Sequence, residues 1–286
     1  MWTPSARAAA ARAVNGKPSG ERDEGARMVG ENPWIRELRR TRRPAAHVVF
    51  FPHAGGAATF FAPLARHFPA DFDVSAAQYP GRQERFGEPF VETVEGLADH
   101  LAPVLRRYAA GPAPLVLFGH SMGASVAFET AGRLGAGHRG APCRLVVSAS
   151  PAPSVRRRDD VHRGTDREIL AHLAELGGTD AEILGSPDLV ELFLPVLRND
   201  YGAVARYRPT DHAVVDLPVL CLVGDRDGRA TPEDAAAWKE HTSADFLLRT
   251  FPGGHFFLTE HQETVARLVT DWAGSVPGGP VPHGTA

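Results

Sequence analysis

The sequence predicts an α/β fold, a mostly parallel central sheet flanked by helices, with an all-helical segment inserted late in the chain. Three observations predict it. Short apolar runs of strand length recur along the chain, helical stretches separate most of them, and one glycine-crowded junction between a strand and a helix carries a serine. Strands that alternate with helices pair in parallel and are covered on both faces. Chemistry in such sheets gathers beyond the carboxyl ends of the strands.

The strand-like runs are HVVFF (47–51), DVSAAQY (73–79), LVLF (115–118), RLVVSAS (144–150), PVLCLVG (218–224) and FLLRTF (246–251). Helix starts are marked by Thr93 ahead of Val94 to Tyr108, by Thr231-Pro232-Glu233-Asp234, and by Thr259 with Gln262 three residues on. These are N-cap, N1-proline and capping-box signals. Residues 160 to about 208 contain no good strand. There Thr165 with Glu168 and Thr179 with Glu182 read as capping boxes, and Ser186-Pro187-Asp188 opens the apolar run LVELFLPVLRNDYGAVARY, which Pro195 is expected to kink. A helical insertion at this point reads as a lid over the site, the alternative being a helical excursion packed elsewhere.

With 286 residues, 43% of them hydrophobic, the chain is long enough for one large α/β domain. A net charge of −3 gives no footprint for nucleic acid, and no run of about 18 apolar residues is present to span a membrane. Cys143 and Cys221 lie in or beside apolar runs, the pattern of two buried reduced thiols in a cytoplasmic protein. No zinc-ligand or phosphate-loop motif occurs, so no metal is expected. The expected division is a disordered leader over 1–31, one domain over 32–274 with its lid at about 160–208, and a flexible Pro/Gly-rich tail over 275–286.

The junction reads LVLFGHSMGASVAFETAGRL (115–134), in which Gly119-His120-Ser121-Met122-Gly123 is a G-x-S-x-G nucleophile elbow. A serine hydroxyl needs a base to take its proton, and that base needs an acid to orient it. Of thirteen histidines, His255 follows the last strand-like run behind two glycines that let its loop cross the sheet edge. The loop GDRDG offers Asp225 and Asp227 as the acid. Asp227 is preferred because Asp225 still continues the strand exit and suits a local turn bond. The order Ser121, Asp227, His255 is that of the α/β-hydrolases. An oxyanion formed at Ser121 needs donors: one expected at the Met122 backbone N–H, the other in the loop HAGG after the first strand, at Ala54 N–H. His53 in that loop suits packing better than base catalysis.

The segments FFPHAGG, YPGRQER, GHSMGA, LGGT, LPVLRNDY, LVGDRD and GGHFF occur in order between Asn32 and Trp272. Together they resemble the type II thioesterases that accompany modular polyketide and nonribosomal peptide synthetases. The resemblance implies hydrolysis of stalled or mis-primed acyl groups from the phosphopantetheine thioester of an acyl or peptidyl carrier protein. It implies the same triad, and no cofactor beyond the arm that the partner carries. Neither nucleic acid nor membrane is an expected partner, and a monomer is expected. In integrated release domains the acid often ends the strand after the nucleophile; here that strand runs into SASPAPSVRR, and no acid occurs before Asp159.

Leu192 and Phe193, on the most apolar stretch of the insertion, are expected to wall the acyl pocket. Arg156, Arg157 and Arg158 offer either a contact for an acidic carrier protein or a solvated charge run. The stretch before Met28 departs from the family and holds only Met1, Trp2 and Val14 as larger apolar side chains, too few to offset the entropy of ordering it. A chain beginning at Met28 is expected to keep its melting temperature and its rate on a carrier-bound thioester. A loss of several degrees, or of carrier-bound activity alone, would contradict this.

Overall fold

The computed structural model describes residues 32–135, 143–155, 160–177, 186–209 and 213–274. The expected leader and tail, the Thr179–Glu182 capping box, the three arginines 156–158 and Asp159 lie outside these residues. Seven strands form one sheet: β1 (Ile35–Arg39), β2 (Ala46–Phe51), β3 (Phe72–Ala77), β4 (Leu115–His120), β5 (Cys143–Ser148), β6 (Val219–Gly224) and β7 (Phe246–Phe251). Their order is β1-β3-β2-β4-β5-β6-β7, with β1 antiparallel and every other pairing parallel. Seven α-helices are described: α1 (Ala62–Ala65), α2 (Val94–Ala109), α3 (Met122–Gly135), α4 (Asp166–Leu176), α5 (Pro187–Arg206), α6 (Pro232–Ala236) and α7 (Gln262–Gly274).

Strand periodicity divides the core into two layers. Val49, Phe51, Leu115 and Leu117 point to the face covered by α2 and α3, where Leu101, Leu105, Phe128 and Ala131 are buried. Val48, Phe50, Val116 and Phe118 point to the other face, against Phe61, Phe68, Val265, Val269 and Trp272. A strand packed on both faces reads as a continuous apolar run, which is why β2, β4, β5 and β6 stand out in the sequence.

β1 was not among the expected strands. It is an edge strand whose sequence, IRELR, buries only Ile35 fully. Its charges belong to the edge: the Arg39 guanidinium donates to the carbonyls of Phe68 (3.1 Å), Pro69 (2.7 Å) and Phe72 (3.2 Å), tying β1 to the turn ahead of β3.

The caps at Thr93, Thr165 and Thr231 form as read; the last two are reciprocal capping boxes. Thr259 is a correction. It closes a 3₁₀ turn with its hydroxyl donating to Phe256 O (2.9 Å), and α7 begins only at Gln262, whose side chain donates back to Thr259 O (3.1 Å). α5 runs as one helix through Pro195. Among the described residues of the insertion no strand forms, and α4 and α5 lie over the carboxyl end of the sheet, where they wall the cavity described below. Both cysteines are buried free thiols, and burial pushes Cys143 up to about 12.

Candidate active site

β4 delivers the chain to the carboxyl edge of the sheet and α3 takes it away within a single residue, Ser121. That residue has φ 55°, a left-handed conformation that a side chain disfavours. Its N–H donates to Ser148 O on β5 (2.8 Å), which locks the turn to the neighbouring strand. A Cβ at Gly119 would strike the backbone of Gly123 and Ala124, and one at Gly123 would strike Phe51 O. The glycines of the elbow are there because strand, turn and helix touch backbone to backbone.

The exits of β6 and β7 are zipped together. Asp225 N–H donates to Phe251 O (2.8 Å), Arg226 N–H to Gly253 O (2.8 Å), and Gly253 N–H to the Asp225 carboxylate (2.8 Å). Asp225 therefore does not bond its own turn, as the sequence suggested; it holds the loop that carries His255. Asp227, two residues on, turns inward. One of its oxygens accepts from Arg229 N–H (2.8 Å) and Ala230 N–H (3.3 Å), and the other lies 2.9 Å from His255 Nδ1. The Asp227 side chain is fully buried and His255 nearly so.

A carboxylate only accepts, so His255 Nδ1 carries the proton, and Nε2 of the neutral ring is left as the acceptor. Ser121 Oγ lies 2.9 Å from that Nε2. The structure thus brings Ser121, His255 and Asp227 into one hydrogen-bonded chain, a geometry that can activate a hydroxyl for attack on an acyl carbon.

In the loop after β2, Gly56 N–H donates to His53 O (2.9 Å) and Gly55 N–H to Asp200 (2.8 Å). Both are therefore occupied, and the structure gives Ala54 N–H no acceptor among the described residues. Met122 N–H, in the first turn of α3, is one of the amides that a helix leaves unpaired. Both residues line the cavity at Ser121.

His53 is packed edge-on against Phe60 (4.5 Å between ring centres) and Phe256 (4.9 Å), and His120 lies 5.5 Å from the His255 ring with its Nδ1 3.0 Å from Ser148 Oγ. Burial, with His255 adding repulsion, pushes His53 down to about 3 and His120 well below the ordinary histidine value. Neither ring takes a proton at neutral pH. His53 is thus a packing residue, as its place in the chain suggested.

The cavity has a volume of about 930 Å³. Its lid wall is Leu173 and Leu176 of α4 with Tyr201, Val204 and Ala205 of α5, and its floor carries Ser125, Ser150 and Ser154. Leu192 and Phe193 do not line it, contrary to expectation. Phe193 instead packs behind the β2 loop, where it and Leu197 would meet a Cβ at Gly55. The serines were not singled out in the sequence, and only the place of Ser125 in the first turn of the helix that follows Ser121 could have pointed to any of them.

A family model described as a thioesterase domain matches residues 46–273. The chain belongs to the thioesterase domain family. It is 39% identical over 243 residues to the thioesterase PikA5 of Streptomyces venezuelae, covering 85% of this chain and 86% of that protein. Among solved structures, the type II thioesterase BorB from the borrelidin biosynthetic cluster is 41% identical with a TM-score of 0.77, covering 86% of this chain and 100% of BorB. YbtT, a type II thioesterase from the yersiniabactin NRPS/PKS biosynthetic pathway, is 28% identical with a TM-score of 0.73, covering 85% and 100%. This thioesterase is therefore a hydrolase of thioesters on a known fold. Among its described residues no helix is long and apolar enough to cross a membrane.

The two loop aspartates give unequal expectations. Asp227→Asn removes the charge that fixes the imidazole and is expected to lower kcat by about 10⁴-fold, as for a triad acid. Asp225→Asn keeps an oxygen for Gly253 N–H and is expected to cost under about tenfold. Steady-state kinetics on one thioester decide it, and equal losses would move the acid to Asp225.

The buried histidines predict an acid-labile fold. The unfolded chain takes up protons at these rings as pH falls through about 6.5, whereas the folded chain does not, so stability is full above that value and is lost below it. His53 alone accounts for about 1.5 kcal/mol between pH 6.5 and pH 5. Urea midpoints at the two pH values should show the fall, shallower in His53→Gln; a midpoint that stays put contradicts it.

Proposed function

We propose that this thioesterase is a type II, editing enzyme that acts in trans on acyl groups held as phosphopantetheine thioesters by the carrier proteins of polyketide or nonribosomal peptide assembly. The observation that carries the reading is the Ser121–His255–Asp227 hydrogen-bonded chain opening on a large cavity under the lid helices. The likeness to BorB and YbtT, both described as type II thioesterases, supports the substrate class.

In this reading His255 Nε2 takes the Ser121 proton as Oγ attacks the thioester carbonyl carbon. The carbonyl oxygen becomes an oxyanion and is held by Ala54 and Met122 N–H, backbone donors of the kind that stabilise such a charge without reorganisation. The imidazolium, oriented by Asp227, gives its proton to the departing sulfur, and the pantetheine thiol leaves. Water then enters and His255 takes its proton. The resulting hydroxide equivalent attacks the acyl-serine, and the proton returns to Ser121 Oγ as the free acid departs. Apart from the attacking water, each step uses side chains and backbone amides of this chain.

The test is hydrolysis of an acyl group loaded on a phosphopantetheinylated carrier protein, beside an oxygen ester of the same acyl chain. Wild type is expected to prefer the carrier-bound thioester, and Ser121→Ala to lose about a thousandfold or more in kcat while still binding substrate. Near-normal turnover by Ser121→Ala would refute the mechanism. Preference for the oxygen ester would make the protein a general carboxylesterase, and turnover of neither would leave a carrier-docking role.

A further inference from the structure

A buried ion pair stands directly behind the β2 loop and has no place in the mechanism above. Arg82, in the turn after β3, and Asp200, on α5, are 118 positions apart in sequence, and their side chains are only 6% and 1% exposed. The contact is bidentate, with Nη1 to Oδ2 at 2.6 Å and Nη2 to Oδ1 at 3.0 Å. A carboxylate offers about four lone-pair sites, and all are filled here. Oδ2 also accepts from Gly55 N–H (2.8 Å), and Oδ1 also accepts from Asn199 Nδ2 (3.1 Å). Arg82 in turn donates to Gly56 O (3.2 Å). The Gly55–Gly56 segment is thus held from both ends by one charge pair.

We propose that Asp200 is a positioning residue for the oxyanion site: by holding Gly55 N–H, with Arg82 fixing Asp200, it fixes the Ala54–Gly55 peptide and, through the Ala54 backbone next to it, the direction in which Ala54 N–H faces the reacting carbonyl. The inference rests on the reading in which Ala54 N–H receives the oxyanion. Gly55 has φ +76° and no room for a Cβ against Leu197 and Phe193 of the same helix. The loop therefore takes its conformation from α5 itself. α5 is a firm support, because Asn199 donates to Val91 O (3.1 Å), Arg206 to Glu92 O (2.6 Å), and Tyr207 at its C-terminus donates to Glu129 on α3 (2.8 Å). The last of these bonds joins the lid to the helix that follows Ser121. An apolar pair of similar volume can match a buried ion pair in stability. It cannot accept the Gly55 N–H, and that bond is what the charge pair adds.

The experiment separates position from stability. Wild type and Ser121→Ala on one carrier-bound thioester first establish turnover at Ser121, and a wild type without turnover would sink the thioesterase reading rather than this one. Given that turnover, Asp200→Asn is expected to lower kcat by about tenfold to a hundredfold with KM within about threefold, since small displacements of a catalytic group cost that much. Unlike Asp225→Asn, it must turn an NH2 toward donors, because both Asp200 oxygens are engaged, each by Arg82 and one each also by Gly55 and Asn199. Its affinity for a trifluoromethyl ketone analogue, which forms an oxyanion at Ser121, should weaken by the same factor as kcat/KM. The double variant Arg82→Met/Asp200→Leu removes both charges together. It should melt within a few degrees of wild type yet keep the low kcat, and it decides the matter if Asp200→Asn does not fold. Unchanged kcat in folded Asp200→Asn would overturn the proposal, as would a double variant whose kcat recovers along with its melting temperature.

Discussion

Ser121 sits at φ 55° between a strand and a helix, and most of the molecule is arranged so that it stays there. A non-glycine residue in that region costs about 1–3 kcal/mol and persists only where its surroundings over-determine it. Three contacts do so. β4 is buried on both faces, α3 begins immediately and packs on α2, and the Ser121 amide is taken by β5. The parallel sheet then places every other functional loop at the same edge: the β2 loop with Ala54, the β6 loop with Asp227 and the β7 loop with His255. The last two are joined by three hydrogen bonds before either functional side chain is reached. The serine-to-imidazole distance is thus a property of the sheet and of paired loops, not of one flexible segment.

What was legible in the sequence was what is local. The elbow announces itself because strand, glycines and helix are contiguous, and the caps at Thr93, Thr165 and Thr231 are three-residue patterns. Six of the seven strands were visible as apolar runs. β1 was not, because an edge strand wears its charges outward and pairs on one side only. Thr259 has the right spacing for a capping box, but the 3₁₀ turn that follows His255 claims its hydroxyl. Asp225 and Asp227 were separable by chain order, whereas the bond from Asp225 to Gly253 spans 28 positions and leaves no local mark. The pairing of Arg82 with Asp200 is invisible for the same reason, although both lie in the quoted motifs YPGRQER and LPVLRNDY.

The lid shows why apolar character is a poor guide to which residues face a substrate. The strongest hydrophobic positions of α5 are those that hold the helix to the rest of the protein. Leu197 is wholly buried, and Phe193 packs partly buried beside it against Gly55. A wall that must admit a ligand and release it is built from what is left on the neighbouring face, here Tyr201, Val204 and Ala205. Serines on the opposite floor make the cavity mixed rather than greasy, and its shape owes as much to the core as to the lid.

Three imidazole rings, His53, His120 and His255, pack together beside Ser121, and only one of the three is suited to proton transfer. A base must be reachable by the serine, must keep one nitrogen free of a proton, and must tolerate the positive charge it acquires. His255 meets these conditions because Asp227 faces its Nδ1 and Ser121 its Nε2. His53 and His120 are held among Phe60, Phe256 and each other, with no carboxylate among the described residues bonded to either ring, and burial keeps both uncharged. A neutral ring beside His255 does not compete for the proton or repel the imidazolium as a second charged ring would. At an ε of about 20, a unit charge 5.5 Å away would cost about 3 kcal/mol, which is on the order of a hundredfold in rate. The apolar packing around two histidines is in this sense part of the electrostatics of the third.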